Sequence, residues 1–317
     1  MSLDLLDAPL RLTWAIAGNR SPLNTAQLST IAGRIADAGL FFVTLDNAPL
    51  LNPAWRCLVE CLVDQGCQVR LVCQGSDDEL EQLTALAERS VELLFDVARL
   101  VNGQNGLLDL AVLTSTLEKM RTIGFDPALS LTPLRHHLPA IPKLLRFCQD
   151  HKVRRLRLPN ATIVGSFAGY GPGDLPNWPD LQNFSQHWAE QTWEGGDWPI
   201  LEIHDLFLWE ILTPGDLKSR AEYGGCQAGN SLAHVDDDGQ LHPCSAWPHL
   251  LGSLLTSSLE ELWQGTERFA VRRLVEQAPQ GCVGCRDLAL CQGGCRGLGI
   301  TLNRECGERD LMCRGPR

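Results

Sequence analysis

Cysteine is the residue type in this chain that most clearly could bind a metal, and its distribution along the chain is uneven. Of 13 cysteines in 317 residues, five precede residue 226 and eight follow from there. The eight are Cys226, Cys244, Cys282, Cys285, Cys291, Cys295, Cys306 and Cys313. Because structural disulfides are disfavoured in a reducing compartment, so dense a block indicates that the cysteines bind metal.

The spacing inside this block narrows the choice of metal. Cysteines 282, 285, 291 and 295 are separated by two, five and three residues, which differs from the two matched pairs of a zinc ribbon. Four glycines at 281, 284, 293 and 294 would let backbone N–H groups approach cluster sulfurs. We therefore expect iron–sulfur clusters, with zinc, or plain packing and disulfides, as the open alternatives.

A β-hairpin is predicted between Cys226 and Cys244. Residues 234–241 alternate around an Asp-Gly turn at Asp238-Gly239, the pattern typical of a hairpin that brings its flanking residues together. The run of aspartates lacks the further oxygen ligands of a calcium loop, so we interpret it as the turn.

The elements that must position the cysteines begin with a repeated strand–helix pattern. Six apolar runs predict strands, each followed by an amphipathic stretch, and Asn24 and Asn52-Pro53 are predicted helix starts. The predicted strands are Leu10–Trp14, Leu40–Leu45, Gln68–Cys73, Val91–Asp96, Ala128–Leu131 and Arg154–Leu158. This indicates an α/β fold with a parallel sheet, curved into a partial (β/α)6 TIM-like barrel.

The loops after these strands are poor in chemistry, although active sites of such sheets lie there. The five early cysteines follow no metal spacing, so we expect them to pack in the core. They are Cys57, Cys61, Cys67, Cys73 and Cys148.

Composition excludes several classes of partner. The net charge is −11 with only four lysines, which argues against nucleic acid or an anionic membrane as partner. No run of 18 apolar residues predicts a membrane span, and Asp4 and Asp7 stand where a secretory signal needs positive charge. We expect a cytoplasmic protein.

Glycine and proline between residues 159 and 180 mark a boundary. The predicted units are a partial barrel over 1–170, a connecting segment over 171–225 that completes the barrel side, and a small cysteine-rich domain over 226–317.

The cysteine block resembles the SPASM domain of radical SAM enzymes that mature peptides and proteins. The resemblance rests on Cys226-Gln227-Ala228-Gly229, Asp237 to Ser245, Gly252-Ser253-Leu254, Ser258 to Trp263, and Cys282 to Arg296. It implies two auxiliary 4Fe-4S clusters. Cys282, Cys285, Cys291 and Cys313 would hold the outer one and Cys226, Cys244 and Cys295 the inner one. Relatives often supply the fourth ligand of the inner cluster from a cysteine just before the motif, where this chain has Gly224-Gly225. The fourth iron of that cluster would then keep an open position, or Cys306 or a non-cysteine group would fill it.

The N-terminal part is similar to the radical SAM barrel but departs from it at the catalytic positions. The three cysteines expected after the first strand fall on Ile16, Arg20 and Leu23. The Gly-Gly-Glu-Pro that binds the amino group of S-adenosylmethionine becomes Asp46-Asn47-Ala48-Pro49. Since none of the three side chains can ligate iron, the resemblance implies a degenerate barrel with no catalytic residues, no S-adenosylmethionine and no independent radical SAM activity.

The expected function is that of an iron–sulfur accessory protein in a radical SAM peptide-modification system, like the SPASM companions of GeoRSP-type systems. Its partners would be an active radical SAM/SPASM maturase and the peptide substrate of that maturase. The roles to weigh are partner binding, substrate binding and electron transfer. Two other classes stay open: an enzyme that uses the inner cluster with its open iron, and a zinc-binding structural or interaction protein.

Overall fold

A computed structural model describes residues 5–86, 91–103, 106–165, 170–191, 197–213 and 224–316. Ten strands occur in these ranges. They are β1 (Arg11–Ala15), β2 (Phe42–Asp46), β3 (Gln68–Cys73), β4 (Val91–Asp96), β5 (Ala128–Ser130), β6 (Arg155–Leu158), β7 (Ile200–Ile203), β8 (Leu232–Val235), β9 (Gln240–His242) and β10 (Gly252–Ser253).

Helices alternate with the first seven strands and then cluster near the C-terminus. They are α1 (Thr25–Asp37), α2 (Trp55–Asp64), α3 (Asp77–Leu83), α4 (Leu110–Thr122), α5 (Ile141–Asp150), α6 (Trp178–Ala189), α7 (Leu206–Leu212), α8 (Leu259–Trp263), α9 (Thr266–Glu276), α10 (Leu288–Cys291) and α11 (Arg296–Leu302). Within the described ranges, no helix is long and apolar enough to cross a bilayer.

All ten strands form one sheet in the order β10-β9-β8-β1-β2-β3-β4-β5-β6-β7. The strands from β8 through β7 run parallel, and β9 and β10 continue antiparallel. The mixed α/β class with a parallel sheet is thus confirmed. The parallel run has eight strands rather than the six predicted, because β7 adds to one end and β8 pairs with β1 at the other.

The sheet curls strongly, as one long-range ion pair demonstrates. Arg70 on β3 and Glu202 on β7 lie four strands apart, which in a flat sheet would separate them by about 19 Å. Their side chains instead meet with an Nη1–Oε2 distance of 3.1 Å. The concave face therefore forms a lumen, while the opposite face packs on the helices through side chains such as Leu12 and Trp14.

Local signals explain most element boundaries. Asn24 caps α1 with a capping box, as predicted. Asn52 does not cap α2, which begins at Trp55; its buried side chain instead donates to the carbonyl of Gly18 and accepts from the amide of Ala54. The side-chain amide of Asn52 thereby connects the loop after β2 to the loop after β1.

The predicted hairpin is confirmed, since β8 and β9 pair antiparallel around residues 236–239. Asp236 holds the turn by accepting from the amides of Asp238 and Gln240 at 3.1 and 2.8 Å. The predicted domain boundaries stay predictions, and residues 192–196 and 214–223 of the connecting segment lie outside the described ranges.

The core assignment of the early cysteines holds for Cys67, Cys73 and Cys148, which are buried. It is wrong for Cys57, which is exposed on α2, and Cys61 is half-buried. Leu58, Val59 and Leu62 form the buried face of that helix, and Cys57 lies outside it.

Replacing Arg70 should destabilise the barrel, because Glu92 and Glu202 would lose a partner whose side chain is only 9% exposed. For Arg70→Met we expect the free energy of unfolding to fall by roughly 2 kcal/mol. Anaerobic urea titration followed by circular dichroism measures it. Lys119→Met, which removes the exposed Lys119–Asp77 pair, should change it by less than about 0.5 kcal/mol. Equal effects in the two variants would contradict the structural role given to Arg70.

Candidate metal centre

Four of the late cysteines line one cavity of about 260 Å³: Cys282, Cys285, Cys291 and Cys313. The four side chains are also close enough to interact electrostatically, because the charges of Cys313, Cys291 and Cys285 raise the pKa of Cys282. These are the four residues that the SPASM resemblance assigns to one cluster.

Short turns of backbone hold these four cysteines. The amide of Cys285 donates to the carbonyl of Cys282 at 3.0 Å, and that of Cys291, at the end of α10, donates to the carbonyl of Asp287 at 3.1 Å. The opposite wall comes from α6 and α7 and includes Trp178, Leu181, Phe207 and Ile211. One side of the cavity is thus thiol-rich and the other is mainly apolar.

Three further cysteines, Cys226, Cys244 and Cys295, line a second cavity of about 440 Å³. Cys226 precedes β8, Cys244 follows β9, and Cys295 caps the start of α11. The amide of Gly229 donates to the carbonyl of Pro243 at 2.9 Å, so the hairpin brings the flanks of its two cysteines together. This second cavity also opens onto the concave face of the barrel sheet.

The structure does not bring Cys306 to either cavity. Its side chain is exposed, and it lies in a short turn whose neighbour Gly307 accepts from the amide of Gly281 at 2.8 Å. No three His, Cys, Asp or Glu side chains converge closely enough to hold a single metal ion in the part of the chain that the structure describes.

Burial keeps several of these thiols protonated when no metal is bound. Burial, followed by the charge of Cys226, raises the pKa of Cys244 to about 12, and burial with the charges of neighbouring cysteines raises the pKa of Cys282 to about 11. The pKa of Cys295 is raised well above its ordinary value by burial and then by the charge of Asp310. Thiolates at these positions therefore require a bound metal that displaces the proton.

Two buried arginines lie beside the cysteines with unsatisfied N–H groups. Arg272 is 1% exposed and donates through Nη1 to the carbonyls of Cys226 and Ala228, but its Nε and Nη2 find no acceptor among the described residues. Arg296 is 2% exposed, and its Nε likewise finds none within the described ranges. A buried cation needs a nearby negative charge.

Arg296 experiences the charge of a cysteine from each of the two groups. Burial lowers the pKa of its guanidinium, and the charges of Cys226, Glu308 and Cys282 oppose that change. Clusters held by thiolates would supply negative charge on both sides of this side chain. The donor set and these guanidinium groups therefore fit thiolate-ligated iron–sulfur clusters.

A buried carboxylate positions the segments that carry Cys295 and Cys313. Asp310 accepts from the amide of Cys295 at 2.6 Å and from that of Met312 at 2.8 Å, while the amide of Cys313 donates to its carbonyl at 3.1 Å. Burial raises the pKa of Asp310 and also that of Asp205, which the charge of Asp310 raises further. Asp310 thus joins the two cysteine groups through backbone hydrogen bonds.

The loop after β1 has a packed apolar interior. Ile16 is fully buried and its amide donates to the carbonyl of Asp46 at 3.0 Å. Leu23 is half-buried against the core, and Arg20 is exposed. None of these three side chains has a soft donor for iron. The loop after β2 turns through left-handed Asn47 and Ala48 and packs on Gly18.

Sequence reasoning missed the arginine and histidine side chains of the lumen. Arg11, Arg70, Arg157 and His204 line the cavity that the three cysteines share. The signal was present in Arg155-Leu156-Arg157-Leu158, where arginine alternates with leucine along β6. Alternation groups side chains by face but does not tell whether the polar face meets solvent or a lumen.

Comparison with known proteins agrees with this geometry. Residues 226–286 match the SPASM family, an iron-sulfur cluster-binding domain, and confirm that part of the resemblance. A PqqA peptide cyclase of Xanthomonas euvesicatoria pv. vesicatoria is 22% identical over 315 residues, covering 94% of this chain and 81% of the cyclase.

Solved structures share the fold. SuiB of Streptococcus suis bound to S-adenosylmethionine has a TM-score of 0.69 at 15% identity, covering 98% of this chain and 78% of SuiB. SuiB has also been solved with its precursor peptide SuiA. anSMEcpe with bound AdoMet has a TM-score of 0.64 at 16% identity, covering 96% of this chain and 94% of that one.

Residues 226–286 thus match a family of iron-sulfur cluster-binding domains. Over most of its length the chain is similar in sequence to a PqqA peptide cyclase and shares the fold of SuiB and anSMEcpe.

Removal of one cysteine tests the outer group. For Cys285→Ala, which removes one of four thiols lining the smaller cavity, we expect the anaerobically purified protein to lose about half of its iron. Cys306→Ala is the matched control and should keep all of it, because that thiol lines neither cavity. Elemental analysis per protein chain measures both, and equal iron in the two variants would contradict the assignment.

Proposed function

We propose that this chain is an iron–sulfur accessory protein of a radical SAM peptide-modification system, without S-adenosylmethionine chemistry of its own. One observation carries the proposal: the cysteine-rich part offers two thiol-lined cavities, whereas the loop after β1 offers Ile16, Arg20 and Leu23. A 4Fe-4S cluster that binds S-adenosylmethionine and cleaves it reductively would need thiolates at that loop, and this chain has none there.

The proposed ligands follow the two cavities. Cys282, Cys285, Cys291 and Cys313 hold an outer cluster, and Cys226, Cys244 and Cys295 hold an inner one. When bound, such clusters supply one-electron redox centres whose potentials depend on charge and hydrogen bonding around the sulfurs. Arg272 and Arg296 place buried positive charge next to these thiolates, and Asn160 donates from Nδ2 to the sulfur of Cys295 at 3.5 Å.

The partners proposed are an active radical SAM/SPASM maturase and its peptide substrate. The supporting likenesses are to a PqqA peptide cyclase and to SuiB, which was solved with a precursor peptide. The chain would pair with the active enzyme, bind the peptide, or pass electrons through its clusters.

A second candidate function is favoured by the unequal number of thiols. Three cysteines line the inner cavity, whereas four line the outer one, so one iron of an inner cluster would keep an open position. Because this cavity opens onto the barrel lumen, an open iron there would be accessible to a bound molecule. The chain would then be an enzyme in its own right.

The proposed function predicts iron without S-adenosylmethionine cleavage. Anaerobically purified protein should contain about eight irons with matching sulfide and little zinc, and should absorb broadly near roughly 400 nm. Under strong reductant it should release no 5′-deoxyadenosine from S-adenosylmethionine in a chromatographic assay. Cleavage of S-adenosylmethionine would refute the accessory role, and zinc without iron would make the chain a zinc-binding structural protein.

The open-iron enzyme makes its own prediction. Adding candidate peptide should change the electron paramagnetic resonance spectrum of the reduced inner cluster, and Cys295→Ala should abolish that change. Cys285→Ala is the control, because the Cys285 thiol lines the other cavity. In this variant the peptide should still change the spectrum. An unaltered spectrum in the wild-type protein leaves the accessory role as the better account.

A further inference from the structure

The cavity that Cys226, Cys244 and Cys295 line has a second, cationic wall. Arg11 on β1, Arg70 on β3 and Arg157 on β6 contribute to it, together with His204 just after β7. Within the described residues no aspartate or glutamate lines the same cavity. The wall is therefore positive and faces a space into which the protein itself sends no carboxylate.

The charges nearby do not balance. Glu92 and Glu202 both pair with Arg70, at 2.6 and 3.1 Å, and both pair with Arg155, at 2.6 and 3.3 Å. Two carboxylates thus serve two guanidinium groups. Arg157 takes no part in this network, so its charge is left over.

Arg157 is the best placed of the remaining cations. Its Nε is buried and finds no hydrogen-bond acceptor among the described residues. Asp46 and Glu202 act on its charge from a distance, but neither forms an ion pair with it within the described ranges. Arg11, by contrast, is exposed and lies over the ring of Phe42 at 5.6 Å.

His204 reports the electrostatic character of the wall. Burial, together with the charges of Arg157 and Arg11, lowers its pKa to about 3 against an opposing effect of Glu202. Above that pH the imidazole is neutral, so it adds no charge. The positive potential at this end of the lumen therefore comes from the arginines.

Asn160 connects the cationic wall to the cysteines. Arg157 and Asn160 are three residues apart, which limits the distance between their backbones to about 11 Å. Asn160 in turn donates to the sulfur of Cys295. A molecule bound to Arg157 would thus lie next to the three cysteines.

We propose that Arg157 binds a carboxylate of a peptide in this cavity, either an acidic side chain or a C-terminus, beside Cys226, Cys244 and Cys295. The inference deepens the proposed function by naming the chemical class of the peptide, and it rests on that function. A guanidinium pairs with a carboxylate through two parallel hydrogen bonds, which selects that group.

The rest of the cavity suits an organic anion better than an inorganic one. Phe42, Ile203, Leu232 and Ala233 add apolar surface, while Thr13 and Thr44 add hydroxyl groups. The volume of about 440 Å³ lies in the range of small-molecule sites, and the proposed inner cluster would share it with the carboxylate-bearing group.

Three tripeptides test the proposal on anaerobically purified protein whose iron has been counted. They are acetyl-Gly-Glu-Gly-amide, its Gln counterpart, and acetyl-Gly-Gly-Gly with a free carboxylate. By isothermal titration calorimetry we expect the Glu peptide or the free-carboxylate peptide to bind and the Gln peptide not to bind. Whichever of the first two binds more tightly identifies the source of the carboxylate.

Variants assign the binding to one residue. Arg157→Gln should weaken binding of the acidic peptide at least tenfold. Arg157→Lys should weaken binding less, because lysine keeps the charge but loses the two parallel hydrogen bonds of the guanidinium. Arg154→Gln is the matched control, since the Arg154 side chain just before β6 is 90% exposed. The affinity of this variant for the acidic peptide should be unchanged.

Binding of the Gln peptide as tight as that of the better carboxylate peptide, or no binding of either carboxylate peptide, would overturn the inference. Neither result requires a variant to fold. Displacement of the peptide by inorganic phosphate at equal concentration would also overturn it, since the site would then be a general anion site. The iron count separates the two proposals: clusters without peptide binding refute only this inference, whereas protein without iron refutes the proposed function.

Discussion

The parallel pairing of β1 with β8 is the constraint on which the arrangement of both cavities depends. Four residue pairs, from Arg11 with Leu232 to Trp14 with Val235, continue the barrel sheet directly into the cysteine-bearing hairpin. Buried Arg268 adds to this contact by donating to the carbonyls of Gly229 and Leu6. Because Cys226 and Cys244 flank that hairpin, their positions relative to the lumen are fixed by backbone hydrogen bonds rather than by a flexible linker.

The two cysteine groups are also bound to each other. Asp310 accepts from the amides of Cys295 and Met312, which joins the three-cysteine group to the segment that carries Cys313. Buried Arg296 experiences charges from both groups. A change in the charge of either group would therefore act on the other through a buried cation in a low-dielectric interior. This arrangement gives the two proposed clusters a physical means of coupling.

The sequence allowed prediction of features that depend on local pattern. Largely apolar runs predicted β3 and β4 with their observed bounds, and the Asp-Gly turn predicted the β8–β9 hairpin. The grouping of cysteines into four and three came from resemblance to a family, because spacing alone does not say which distant cysteines meet. The pairing of β8 with β1 joins residues more than 200 positions apart, so local periodicity does not encode it. The cationic wall was missed for a related reason: alternating arginines were indistinguishable from a solvent-facing edge until the sheet was seen to curl.

The loop after β1 is held by apolar packing and by one side-chain amide. Ile16 contributes a fully buried aliphatic side chain, and Asn52 bridges this loop to the next. A well-packed apolar residue leaves no void whose filling would require a metal, so the edge of the barrel is stable by packing alone. The three cysteines and Arg157, by contrast, leave buried thiols and an unsatisfied guanidinium facing one shared cavity. The side chains that could still bind a ligand therefore lie on the side of the barrel that the cysteine-rich part closes. We place the proposed function there.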